Sequence, residues 1–257
     1  MRNIFPLLAL ISFNSFAIES NPFQDFDNNF TAGITGVSSP GNYWATTLGA
    51  NGQALLDNGI WINLLANTKL SLSLDNNSSS NISQTYNNAA ASNYGAEIGY
   101  AFLISNNYQV IPHGGLSYSN QLLSINQNSI QEFVIEDPAI HVSAGVKNEL
   151  IVIAKKLKLG MDLNFNYGFH QAVVPNSNDG SLAHYNYGLY TISATPSIQW
   201  NFSEKFTMLG FYQYSYNFGN NTVAPNASYS SLNVNTSDYL LTNFSQNTVG
   251  LSFGVRF

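Results

Sequence analysis

From Asn29 onward, apolar and polar residues alternate with a period of two in ten stretches, each bounded by turn residues. Lys156–His170 is the clearest. Leu157, Leu159, Met161, Leu163, Phe165, Tyr167 and Phe169 fall on one face, and Lys158, Gly160, Asp162, Asn164, Asn166 and Gly168 on the other. Successive side chains of a strand point to opposite sides of its sheet, so this pattern predicts a strand with one greasy and one hydrophilic face. The same reading covers Asn29–Val37, Tyr43–Leu56, Ile60–Leu74, Asn93–Leu103, Tyr108–Asn120, Pro138–Val152, His184–Asn201, Phe206–Phe218 and Asn243–Phe257. Tyr108–Asn120 is the least secure of them, because Pro112 lacks the N–H that a ladder requires.

The connections alternate in length. Those at Asp57-Asn58-Gly59, Ser105-Asn106-Asn107, Ala154-Lys155 and Ser203-Glu204-Lys205 are short, whereas those at the other end, the turn Ser38–Asn42 and the loops Asp75–Ser92, Gln121–Asp137 (parts of which could prolong the flanking strands), Gln171–Ala183 and Gly219–Thr242, are mostly longer. Short turns at one end and long loops at the other are the signature of a transmembrane, antiparallel, up-and-down β-barrel. An even strand count puts both termini at the short-turn end. Ten satisfies this; eight or twelve would need one hairpin to be miscounted. Aromatics cluster near the strand ends, as interface belts do. Trp61, Phe102, Tyr108, Trp200, Phe206 and Phe257 lie toward the turns, and Trp44, Tyr94, Tyr118, Tyr167, Phe169 and Tyr216 toward the loops.

Composition strengthens this picture. Only 9% of the residues are charged and 14% are aromatic, against about 25% charged in a soluble domain. The mean hydropathy of -0.06 is neutral because alternation averages the two faces. No apolar run reaches the ~18 residues of a membrane helix. Met1-Arg2, the apolar run Ile4–Phe13 and the small residues of Ser15-Phe16-Ala17 predict an export signal over residues 1–17. Residues 18–28 then form a short extended lead-in on the periplasmic side, and residues 29–257 the barrel. The chain has no Cys, which excludes disulfides and thiolate metal sites. A net charge of -6 gives no basis for binding nucleic acid.

The last stretch, N-T-V-G-L-S-F-G-V-R-F from Asn247 to Phe257, resembles the C-terminal signal of bacterial outer-membrane β-barrel proteins. That resemblance implies recognition of Gly250, Phe253 and the terminal Phe257 by the barrel assembly machinery. It also implies a Gram-negative outer membrane, with lipid and lipopolysaccharide as surroundings. The whole is similar in kind to the small opacity and OmpA-like barrels. It is expected to be non-enzymatic: structural, adhesive through its loops, or a narrow porin-like channel. A lipid A-modifying hydrolase and a secreted soluble β-sandwich are the alternatives.

Alternation sets Lys69, Glu97, Lys147, Glu149, Lys158 and Asp162 in the lumen. Simple hairpin registers pair Lys69 with Glu97, and either Glu149 with Lys158 or Lys147 with Asp162, so the charges largely neutralise one another in a plugged or narrow interior. A barrel of about eight strands is just filled by its own side chains, and ten is only modestly wider. The outer loops carry Asp75, Glu132, Glu136, Asp137, Asp179 and Asp238 without Lys or Arg. Such a mouth would favour cations, or simply keep the loops soluble. They are also where an extracellular ligand would bind. His141-Val142-Ser143 is similar to the His-x-Ser of outer-membrane lipid A deacylases, which act with a Glu; no acid here sits at a matching position, and Glu149 is a nearby candidate. Two residues apart on a strand, His141 and Ser143 share a face, but it is the lumen face. The outer-membrane proteases need a His beside an Asp, and no adjacent pair exists here. His170 and His184 flank one loop, and His113 lies beside His141. Two imidazoles make at most half a metal site, so neither metal nor cofactor is expected.

Overall fold

The computed structural model of the chain describes residues 21–39, 43–70, 85–127, 131–175, 182–219, 228–229, 234–235 and 243–257. A four-residue helix, α1 (Gln24–Asp27), precedes the strands β1 (Asn29–Ser39), β2 (Tyr43–Leu55), β3 (Ile60–Leu70), β4 (Thr85–Tyr100), β5 (Phe102–Ser105) and β6 (Tyr108–Gln127). There follow β7 (Gln131–Ile153), β8 (Leu157–Pro175), β9 (Leu182–Asn201), β10 (Phe206–Gly219), the two-residue strands β11 (Ser228–Tyr229) and β12 (Val234–Asn235), and β13 (Asn243–Arg256). The main sheet runs β4-β3-β2-β1-β13-β10-β9-β8-β7-β6-β5, and pairing of β4 with β6 closes it. Since β4 and β5 are collinear, ten staves form one antiparallel barrel, as the alternation predicts; β11 and β12 pair only with each other.

The terminal strands form the seam. Ten residues of β1, from Asn29 to Ser38, pair with Arg256 down to Asn247 of β13, so no strand edge is left among the staves.

The faces follow the sequence pattern. Phe30, Ile34, Leu64, Ile98, Leu116, Ile140, Val142, Leu163, Phe165, Ile192, Ile198, Leu251 and Phe253 are exposed on the outside, while Thr31, Asn63, His113, Ser193, Gln199, Thr207 and Ser215 are buried inside. A continuous apolar girdle of this extent is untenable on a soluble monomer and suits hydrocarbon. Phe102, Trp200, Phe206 and Phe257 stand exposed at the turn end, and Tyr94, Tyr118, Phe169 and Tyr216 toward the loops. Trp61 departs from the expected belt. It shares the odd-numbered face of Asn63 and lies inside the barrel, 2% exposed.

Pro112 explains one irregularity. Residues 99 and 113 are paired, as are 102 and 110, in the same register, but no ladder bond joins the residues between. A proline donor is absent there, and the fourth stave breaks at Ala101 into β4 and β5. Pro112 itself pairs with Val146 on its other side, and β6 runs on for 20 residues. All four stretches expected as long loops are in part strand: β4 begins at Thr85, β6 and β7 pair as far as Gln127 and Gln131, β8 and β9 as far as Pro175 and Leu182, and β11 and β12 lie within Gly219–Thr242. Asp75, Asp179 and Asp238 lie outside the described residues.

The lead-in is not extended. It turns into α1 inside the turn end of the barrel, where Phe23, Phe26 and Asp27 are each 0% exposed. Phe23 and Phe26 are three apart, so one helical turn sets both on a single face.

The tight turn after β2 uses Gly59 at φ 85, donating from its N–H to Leu56 O at 2.9 Å. A Cβ at Gly59 would also stand 3.1 Å from the Tyr100 ring. Gly59→Val should therefore cost about 1–2 kcal/mol for the left-handed backbone alone. The check is a lower urea concentration for conversion of the fast-migrating folded band to the slow unfolded band on a gel.

Candidate functional site in the barrel lumen

The lumen is organised in tiers, because every second residue of each strand points into it. The lowest tier is built around α1. Asp27 accepts from Gln109 Nε2 at 2.9 Å and pairs with Lys158 Nζ. Lys158 Nζ also reaches Glu149 Oε1 at 2.6 Å, and the same oxygen takes Lys147 Nζ at 2.8 Å. Gln109 Nε2 donates in addition to Glu149 Oε2 at 2.6 Å. Two acids and two lysines thus share one buried cluster of zero net charge. Such a cluster persists in low dielectric only because each ion is both paired and hydrogen-bonded. Burial, reinforced by the neighbouring Glu149, pushes the Asp27 carboxyl above the usual carboxylate range, while Lys158 and Lys147 pull it back. The Lys158 ammonium also lies 5.7 Å from the Phe26 ring centre, and that of Lys147 4.9 Å from Trp61.

Backbone and amide contacts fasten α1 around the circumference. Gln24 Nε2 donates to Leu55 O at 3.2 Å and Asp57 Oδ1 at 2.8 Å. Gln199 Nε2 donates to Phe26 O at 2.8 Å, Asn201 Nδ2 to Asp25 O at 3.0 Å and Arg256 Nη2 to Asp25 Oδ1 at 3.2 Å. The segment is therefore tied to β2, β6, β8, β9 and β13, which together surround the opening.

Above this tier, His113 Nε2 meets Asp162 Oδ1 at 3.0 Å, with Glu97 Oε1 3.9 Å from its other nitrogen. Glu97 Oε2 accepts from Asn63 Nδ2 at 2.8 Å. Asn63 in turn accepts from Asn51, which accepts from Gln53, and Gln53 accepts from Lys147 Nζ at 3.1 Å. Nearer the loops, His141 Nε2 is 2.8 Å from Ser119 Oγ, and His170 Nδ1 is 3.0 Å from Asp137 Oδ2, which also accepts from Tyr187 OH at 2.6 Å. The His141 and His170 rings meet edge to face at 5.3 Å, and Tyr187 stacks on His170 at 4.6 Å.

Most of the charged residues expected inside come together here, with different partners. Lys147 lies opposite Asp162 in the ladder, yet its ammonium turns to Glu149, and Asp162 takes His113 instead. Glu149 does meet Lys158. Lys69 is not opposite Glu97. The register sets Glu97 against Asn63 and Lys69 against Thr47, six residues further along β3, which is on the order of 20 Å at strand rise. Asp137 is not a loop acid but a buried strand residue, 5% exposed. His184 lies opposite Val173, and the histidine that meets His170 is His141. Among the described hydrogen bonds, the hydroxyl partner of His141 is Ser119; Ser143 faces Gly115 and Asn166 across its ladders. Gly250 is buried against Phe211, and Phe253 and Phe257 face outward. Asp27, Gln109 and Ser119 carry no signal in the sequence, since an Asp in a lead-in and a Ser on a lumen face are ordinary there. Among the described residues no three His, Cys, Asp or Glu side chains converge as a metal cluster.

The buried cluster makes a distinct energetic demand. Glu149→Gln leaves two lysines with one acid and should destabilise the barrel by about 3–5 kcal/mol. Asp27→Asn combined with Lys158→Met removes one charge of each sign and should cost less than the sum of the two single replacements. Urea titrations of the folded gel band measure both.

No sequence-family model and no characterised protein matches the chain. Solved structures do resemble it. The attachment invasion locus protein Ail of Yersinia pestis has 12% identity and a TM-score of 0.37 over 89% of this chain and 97% of its own. A major outer membrane protein of Thermus thermophilus has 11% identity and a TM-score of 0.42 over 89% and 98%. The toluene transporter TodX of Pseudomonas putida has 11% identity and a TM-score of 0.32 over 93% and 92%. The chain itself is a closed antiparallel β-barrel of ten staves with an apolar outer face and a polar lumen.

Proposed function

We propose that this protein is a non-enzymatic outer-membrane barrel, sealed at its periplasmic end by its own N-terminal segment, that works through its outward-facing surface. Residues 1–17 direct export, and both ends of the barrel domain lie in the periplasm with the short turns. The barrel assembly machinery recognises the final strand through Gly250, Phe253 and Phe257. Lipid and lipopolysaccharide surround the apolar girdle, and the Asn/Ser-rich loops present the surface for an extracellular ligand.

The observation that carries this reading is α1. Phe23 and Phe26 fill the turn end, and Asp27 joins ions from β7 and β8 across it. Opening that end would break the charge cluster and leave buried ions without partners, at several kcal/mol for each broken pair. A standing water-filled pore is therefore disfavoured. Lipid A hydrolysis is disfavoured as well, because His141 and Ser143 face the lumen while Ile140 and Val142 face lipid.

Planar-bilayer recording tests the seal. The intact barrel should be electrically quiet, and deletion of residues 21–28 should open steady conductance. Equal conductance from the two proteins would refute the sealed barrel and restore the channel.

A further inference from the structure

We propose that His141 and His170 form a binding site for one late first-row divalent metal ion, Cu²⁺ in preference to Zn²⁺, in the loop-side half of the lumen. The inference does not depend on the sealed end of the barrel.

The two rings come from adjacent strands. His141 lies on β7 opposite Gly168 of β8, and His170 is two residues further along β8 on the same face. A Cβ built on Gly168 would lie 2.7 Å from His141 Nδ1 and 2.7 Å from His170 Nε2. These two nitrogens therefore flank the bare backbone of one glycine, separated by at most twice that distance. Ligands of one tetrahedral ion at about 2.0–2.1 Å each stand on the order of 3.4 Å apart. A spacing of that size falls within this limit.

Each ring is anchored through its other nitrogen. His170 Nδ1–H donates to Asp137 Oδ2, and that carboxylate is fixed in turn by Tyr187 OH. This bond sets the tautomer and leaves the lone pair on His170 Nε2, which is buried and has no hydrogen-bond partner. His141 Nε2 lies 2.8 Å from Ser119 Oγ, and the tautomer in which Nε2–H donates to that hydroxyl carries its lone pair on Nδ1. A carboxylate or hydroxyl on the far nitrogen of each imidazole is what metal-binding histidines ordinarily carry, since it orients the ring and raises its basicity. The partially protected lumen, two imidazole ligands and the absence of thiolates select a borderline ion. Affinity among such ions rises toward Cu²⁺. Two protein ligands leave the other positions to water, so the ion is exchangeable. Asn166, on the same row of β8, has a buried, unpartnered Oδ1 and is the nearest lumen-facing residue below Gly168.

The test uses tag-free, chelator-stripped protein in detergent, titrated with CuCl₂, ZnCl₂ and, as a control, MgCl₂, with bound metal read by equilibrium dialysis. The wild type should take up about one equivalent of Cu²⁺, bind Zn²⁺ more weakly and ignore Mg²⁺. Asp137→Asn should weaken Cu²⁺ about 10–100-fold. His141→Gln, His170→Gln and Gly168→Ala should each remove it, the last by placing a methyl group between the nitrogens. His113→Gln should leave binding intact. Paramagnetic resonance of the Cu²⁺-loaded wild type should show coupling to two imidazole nitrogens, which keeps the test valid should a variant fail to fold. No uptake by the wild type, a signal without nitrogen coupling, or loss of binding in His113→Gln rather than His141→Gln would each overturn the site.

Discussion

Closure of the backbone hydrogen-bond network is the constraint on which the structure depends. In hydrocarbon an unpaired N–H or C=O finds no water, so a sheet survives there only if its first and last strands meet. Here that contact is the seam between β1 and β13, ten residues long. Closure tolerates one missing donor at Pro112, because β6 keeps its ladder to β7 and resumes pairing with β5 in register. With every strand paired, the outer face is free to be apolar and the inner face to be polar, and the alternation of side chains then follows without further instruction.

The inner face creates its own difficulty. Ten strands enclose a space too narrow to hydrate charges as bulk water does, so each ion inside must find a partner. The barrel solves this by drawing in a segment from outside the sheet. Asp27 brings the second acid that Lys147 and Lys158 need beside Glu149, and the two phenylalanines of α1 cover the cluster. Neutralisation and plugging are therefore a single device. Further up, histidines replace lysines, and each rests against a glycine: His113 over Gly145 and His141 over Gly168 of the neighbouring strand, with His170 beside Gly168 on the same strand. The glycines give the rings space that any side chain would take.

Much of this is legible along the chain. The two faces of β8, the tight turn at Gly59 and the even count of staves follow from alternation and turn chemistry, which act over a few residues. The break opposite Pro112 follows from one missing donor. Other features mislead for reasons that are also local. The preference of tryptophan for interfaces points Trp61 to a belt, although its parity with Asn63 places it inside. The period of two breaks down across 121–137, where Leu122-Leu123 and Phe133-Val134-Ile135 run together, so the stretch reads as a loop and Asp137 as a loop acid.

What the sequence determined by itself is which residues face lipid and which face the lumen, because that depends only on a period of two along each strand. What the tertiary structure decided is which lumen residues meet. Asp27 and Lys158 are 131 residues apart, and Asp137 and His170 are 33 apart. A register shift of two residues would keep every face correct while separating every such pair. Register is set jointly by closure of the barrel, by the turns and by the packing of α1, and none of these acts over the span of a single strand.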